Sequence, residues 1–124
     1  MSVGITSWRK CTILNGASLS DAIWMQGYLL LAMRQAANTA GTAFTFQASY
    51  DGGATFEDLQ TDSAELSITK SATVAQHFYL PDAKRVFGPT HIKVRTGTSG
   101  SASAQSADVV VWVCLEDVEA ANGG

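Results

Sequence analysis

Phe44-Thr45-Phe46-Gln47-Ala48-Ser49-Tyr50 runs directly into Asp51-Gly52-Gly53-Ala54-Thr55-Phe56. In the first part Phe44, Phe46, Ala48 and Tyr50 share one face, and Thr45, Gln47 and Ser49 share the other. That is the two-residue period of a half-buried strand. The second part has the chemistry of a hairpin tip. The Asp51 carboxylate can accept backbone N–H groups across the turn, Gly52 and Gly53 tolerate positive φ, and Phe56 can tuck beneath the loop.

Moving outward, His91-Ile92-Lys93-Val94-Arg95-Thr96 alternates again, with Ile92 and Val94 inward and Lys93 and Arg95 outward. Val109-Val110-Val111-Trp112-Val113-Cys114-Leu115 is apolar on both faces. It therefore reads as a central strand, or as an edge covered by another subunit. Further β-prone runs span 9–14, 19–25, 28–35, 55–60, 65–69 and 76–80. Small-residue turns such as Asn15-Gly16, Pro81-Asp82 and Gly88-Pro89 divide them. Eight or nine short strands at this spacing make an all-β sandwich or barrel. Residues 28–37 are built from helix formers. Gly27 and the β-rich surroundings favour a strand there.

A chain of 124 residues supports one domain. The net charge of -3 and pI near 5.1 leave no basic field for phosphates or anionic lipid, so neither nucleic acid nor membrane is an expected partner. Charged residues make up 15%, below the ~25% typical of soluble domains. Either the surface packs against something larger, or Ser, Thr, Gly and Gln supply solubility. The first ten residues have no signal-peptide pattern, and the apolar run 28–33 is too short to span a bilayer, so the chain is expected to be made in the cytoplasm. Cys11 and Cys114 lie in apolar or β-prone runs and read as buried free thiols. A bond between them stays open if the first and last strands pair.

Residues for chemistry are sparse. Glu57 and Asp58 would face opposite sides of a strand, and Asp62, Glu65, Glu116, Asp117 and Glu119 read as solvated acids. His77 and His91 stand without a nucleophile frame, and with the two thiols they match no metal-ligand spacing. Gly97-Thr98-Ser99-Gly100 lacks the lysine of a phosphate cradle. No catalytic residue, cofactor or metal is expected. The Trp and Tyr side chains suit core or subunit contacts better than a sugar platform.

The spacing Ser49-x-Asp51-x-Gly53-x-Thr55-Phe56, with Gly52 between, resembles the Asp-box of sialidases and other β proteins, where it is a structural clip remote from catalysis. A wider pattern runs through 16–33 and 43–59, then His91–Ser99 and Ala104–Asp108 into the last strand. It resembles small virion structural proteins of tailed bacteriophages. The resemblance implies a single-domain, jelly-roll-like antiparallel β-sandwich of about eight strands. It implies a cement protein that decorates the capsid surface, bridges major capsid protein subunits and forms a homo-oligomer (dimer or trimer), assembled in the host cytoplasm. Alternatives are a tail or neck adaptor, a fibre-associated sandwich, or a carbohydrate-binding module.

On this reading residues 1–8 form an N-terminal arm, 9–115 the sandwich and 116–124 an acidic tail. The expected partner contacts are Ile5, Trp8 and Arg9 in the arm, and Glu116, Asp117, Val118 and Glu119 in the tail.

Overall fold

The computed structural model describes residues 5–118. They form β1 (Ile5–Ile13), β2 (Ile23–Trp24), β3 (Tyr28–Gln35), β4 (Ala43–Ser49), β5 (Glu57–Asp58), β6 (Ile68–Thr69), β7 (Gln76–Tyr79), β8 (Val86–Phe87), β9 (His91–Thr96) and β10 (Val109–Asp117). A 3-10 turn, Asp82–Lys84, separates β7 from β8.

One sheet has the order β1-β10-β3-β7, with β8 also beside β3; the other has the order β2-β9-β4-β5, with β6 also beside β4. β7 and β8 share one position in the first sheet, as β5 and β6 do in the second. Eight positions result, and their winding is that of a jelly roll: first and last strands adjacent, third beside the last, the second sheet filled by the intervening strands. All named pairings are antiparallel.

The alternating runs sit as their periods require. Phe44, Phe46, Ala48, Ile92 and Val94 project from β4 and β9 into the interior and meet Leu30, Met33, Val111, Val113 and Leu115 from β3 and β10. Burying such a set is the main driving force of the fold, at ~25 cal/mol per Å² of apolar surface. β10 is central, between β1 and β3, which accounts for its two apolar faces.

The helix-forming run is strand β3. It pairs with β10 on one side and with β7 and β8 on the other, and this ladder outweighs local propensity. The strand starts after a turn in which Tyr28 N–H donates to Met25 O at 2.9 Å, with Gly27 at φ 83°. The register shifts between Cys114 and Leu115, whose partners are Ala32 and Leu30, so Leu31 is the extra residue of a bulge.

Several boundaries differ from the sequence reading. Tyr50 does not share the face of Phe44, Phe46 and Ala48; the chain leaves the sheet after Ser49 and Tyr50 is 65% exposed. The run 55–60 keeps two strand residues and 19–25 keeps two, because both approach a neighbour only briefly. β8 is too short for a periodic signal. Residues 5–8 are not an arm but the start of β1, and Glu116 and Asp117 are not a tail but the end of β10. Ile5 pairs with Asp117 and Thr6 with Glu116. Main-chain pairing tolerates polar side chains on an edge, so β1 follows the full length of its partner whatever its own composition. Residues 1–4 and 119–124, Glu119 among them, lie outside the described residues.

Candidate docking surface

The outward face of the first sheet collects aromatic groups. Rows in register run Trp8–Cys114–Ala32–Tyr79, then Lys10–Trp112–Arg34–His77 on one side and Thr6–Glu116–Leu29–Phe87 on the other. The Trp8 indole meets the His77 ring edge-on at 5.1 Å, although β7 lies three strands away. To reach it the indole crosses Cys114 and Ala32, which face outward yet are only 7% and 1% exposed. His77 in turn stacks with Tyr79 at 6.5 Å. Tyr79, Phe87 and Trp8 remain exposed, with Lys10 and Arg34 as basic neighbours.

Of the other expected contact residues, Arg9 is engaged internally. Its guanidinium lies 4.8 Å from the Tyr28 ring centroid and 5.7 Å from that of Trp24, and Nη1 donates to Trp24 O at 3.5 Å. Val118 is half-buried and its N–H donates to Gly27 O at 3.2 Å. Trp8 and Glu116 share the outer face; Ile5 and Asp117 pair at the end of the ladder.

The hairpin tip has the expected wiring. Ser49 Oγ and Thr55 N–H donate to Asp51 Oδ1 at 2.7 and 2.9 Å, and Gly53 N–H donates to Ser49 Oγ at 2.9 Å. Gly52 and Gly53 have φ of 76° and 92°, where a Cβ is disfavoured. Phe56 is half-buried with Lys93 Nζ 4.4 Å over its ring. These hydrogen bonds, Ser49 first, pull the Asp51 carboxyl down to about 2. Asp51→Asn is expected to lower the melting temperature at pH 7. A folded pKa below the unfolded one gives stability that is present above about 4 and lost as pH falls toward 2, so the gap should close in acid. Melting curves of both proteins between pH 2 and 7 check this; a pH-independent gap would refute the wiring.

A cleft of about 230 Å³ lies at one end of the sandwich, lined by Tyr50, Leu59, Leu66, Arg85, Phe87 and Pro89 among others. Arg85 pairs with exposed Asp82 at 2.8 Å, and its Nε donates to Leu80 O at 3.1 Å.

Two buried cations escape a pattern-based reading. Arg95 does not point into solvent; its side chain is 8% exposed and holds Asp58 at 3.0 Å and Glu65 at 2.6 Å, while Nε donates to Thr45 Oγ1 at 2.9 Å. Asp58 and Glu65 are therefore ion-pair partners rather than solvated acids. Lys70 is 5% exposed. Its Nζ donates to Thr39 O at 2.7 Å and Ser71 O at 3.1 Å, and lies 5.1 Å from the Phe44 ring centroid. Beside it, buried Gln35 donates through Nε2 to Ser71 O and Val74 O, and its Oε1 has no partner among the described residues.

Cys11 and Cys114 are both buried and unbonded. The first and last strands do pair, but Cys11 opposes Val111 and faces the core, whereas Cys114 opposes Trp8 on the outer face. His77 and His91 sit on different sheets. Among the described residues no three or more His, Cys, Asp or Glu side chains are grouped to hold a metal ion.

No protein-family model and no curated protein matches the chain. Among solved structures it is similar to a chain from Bacillus endospore appendages, described as a novel family of disulfide-linked pili. The similarity covers 94% of this chain and 90% of that one, at 11% identity and a TM-score of 0.42, a level that carries no argument about function.

Proposed function

We propose that this protein is a non-enzymatic virion component that decorates a bacteriophage capsid, docking the outward face of its first sheet across junctions between major capsid protein subunits. The exposed aromatic face carries this reading. Trp8 is 43%, Phe87 58% and Tyr79 86% exposed on the outward face of this sheet. Monomeric proteins rarely display such patches without a partner, and Trp and Tyr are enriched where proteins meet. Lys10 and Arg34 beside them suit an acidic counter-surface. The jelly roll is a fold of capsid proteins, but also of lectins and cupins, so it is a compatible frame rather than an argument.

Many modest contacts repeated over a shell give occupancy that one contact of the same area would not. The test is the stoichiometry of purified particles against the major capsid protein, with wild type and a Tyr79→Glu/Phe87→Glu variant. Wild type is expected in proportion to shell subunits and the variant depleted. Full occupancy by the variant would reject the face. Recovery of a few copies from tails alone would make the protein a neck or tail component, and glycan binding lost with Tyr79 would make it a sugar-binding module.

A further inference from the structure

We infer that two copies of this chain join edge to edge, β1 pairing antiparallel with β1 of a second copy in a register centred on Trp8.

β1 ends the first sheet, and among the described residues no strand lies along its outer side. Thr12 shows which groups face that side. Its N–H donates to Asp21 Oδ1 at 2.8 Å and its carbonyl accepts from Asp21 N–H at 3.3 Å. N–H and C=O of one residue point the same way in an antiparallel strand, and alternate residues point opposite ways. The register with β10 is unbroken over Ile5–Ile13, so Thr6, Trp8 and Lys10 also present both groups outward. Asp21 closes the edge at Thr12; from Lys10 back toward Ile5 no strand or turn among the described residues closes it, and no proline or bulge interrupts it.

This open stretch is self-complementary. A two-fold pair places residues of like orientation opposite each other, so its centre falls on a residue. Centring on Lys10 or on Arg9 opposes two like charges at the axis. Centring on Trp8 opposes Lys10 to Thr6 and Arg9 to Ser7, with no like charges in contact, and uses the whole stretch between Ile5 and Cys11. The small Ser7 leaves room for Arg9 where it folds back onto Tyr28 and Trp24. The Trp8 indoles do not collide, because each lies back over its own sheet toward His77. The two outward aromatic faces then become one surface of doubled width. This deepens the proposed docking role, yet it is read in solution without any particle, so the two can fail separately.

The experiment is sedimentation equilibrium of the full chain over a concentration series, with substitutions that report the register. Thr6→Lys opposes ammonium groups across both symmetry-related 6–10 pairs and is expected to weaken the dimer about tenfold. Thr6→Glu should tighten it several-fold, and Thr6→Lys/Lys10→Glu, which rebuilds an opposite-charge pair at both contacts, should associate about as tightly as Thr6→Glu. Both positions are exposed, but Thr6 opposes Glu116 on β10, so Thr6→Lys should slightly raise and Thr6→Glu slightly lower the melting temperature of the monomer, opposite in sign to their effects on the dimer. A wild type that stays monomeric, a trimer, or an association indifferent to these charges would each overturn the inference.

Discussion

Arg95→Met is expected to lower the unfolding free energy by about 3–5 kcal/mol at pH 7, the range for removing one partner of a buried ion pair. Methionine roughly replaces the aliphatic stem, so the loss is electrostatic and hydrogen-bonding rather than cavity-driven. Glu65, 16% exposed, would be left with only the Ser99 N–H at 3.0 Å to hold its charge. Asp58, 37% exposed, can regain water and softens the effect. Arg85 and Asp82 form the contrast. That pair is equally short, but Asp82 is 93% exposed, and Asp82→Asn should be thermodynamically silent. Urea unfolding reads both through the midpoint at unchanged slope. An Arg95→Met midpoint close to wild type would mean the buried triad contributes little.

The second large effect is the response of stability to alkaline pH. Burial pulls the Lys70 ammonium down to about 8, from an ordinary value of 10.5. Between these values the unfolded chain holds more protons than the folded one, so this group adds stability as pH rises from about 8 to 10.5, by about 3 kcal/mol in full. Cys11 acts with the opposite sign. Burial pushes its thiol up to about 12, so the folded chain keeps a proton that the unfolded chain releases near 9, and stability falls above that pH. The two oppose each other in wild type. The difference between wild type and Lys70→Met cancels the cysteine and should therefore grow in favour of wild type from pH 8 to 10.5. At pH 7 the variant loses the donor to Thr39 O but sheds a buried charge, so the two proteins should lie close. Denaturant midpoints at pH 7, 8, 9 and 10 measure the difference; a flat difference would show that Lys70 is not held in a desolvated site.

The elements read most directly from the residues are those whose information is local. The alternation of 44–48 and 91–96, the two-faced apolarity of 109–115 and the turn at 49–56 each rest on neighbours in the chain, and each appears in the structure in the expected role. Arg95 shows where such reading ends. Its alternation with Ile92 and Val94 places it outward, and outward it goes. It is buried nonetheless, because Asp58 and Glu65, far away in sequence, fold over that face. Lys70 is enclosed in the same way by the carbonyls of Thr39 and Ser71 and by the Phe44 ring. The aromatic face was legible only in part. Trp8 is expected from sequence as a partner contact in an N-terminal arm, but its place in a strand and its association with His77 and Tyr79 depend on strand order, which no local pattern encodes.

Period, turn chemistry and composition by themselves pointed to an all-β sandwich or barrel with a hydrogen-bonded Asp-Gly-Gly tip, because those signals act between residues a few positions apart. Tertiary structure alone decided that residues 5–8 and 116–117 extend the β1–β10 ladder, and that Trp8, Tyr79 and Phe87 share one outward face. These outcomes depend on which strands become neighbours, and pairing energies between distant segments outweigh the local preferences of any one of them.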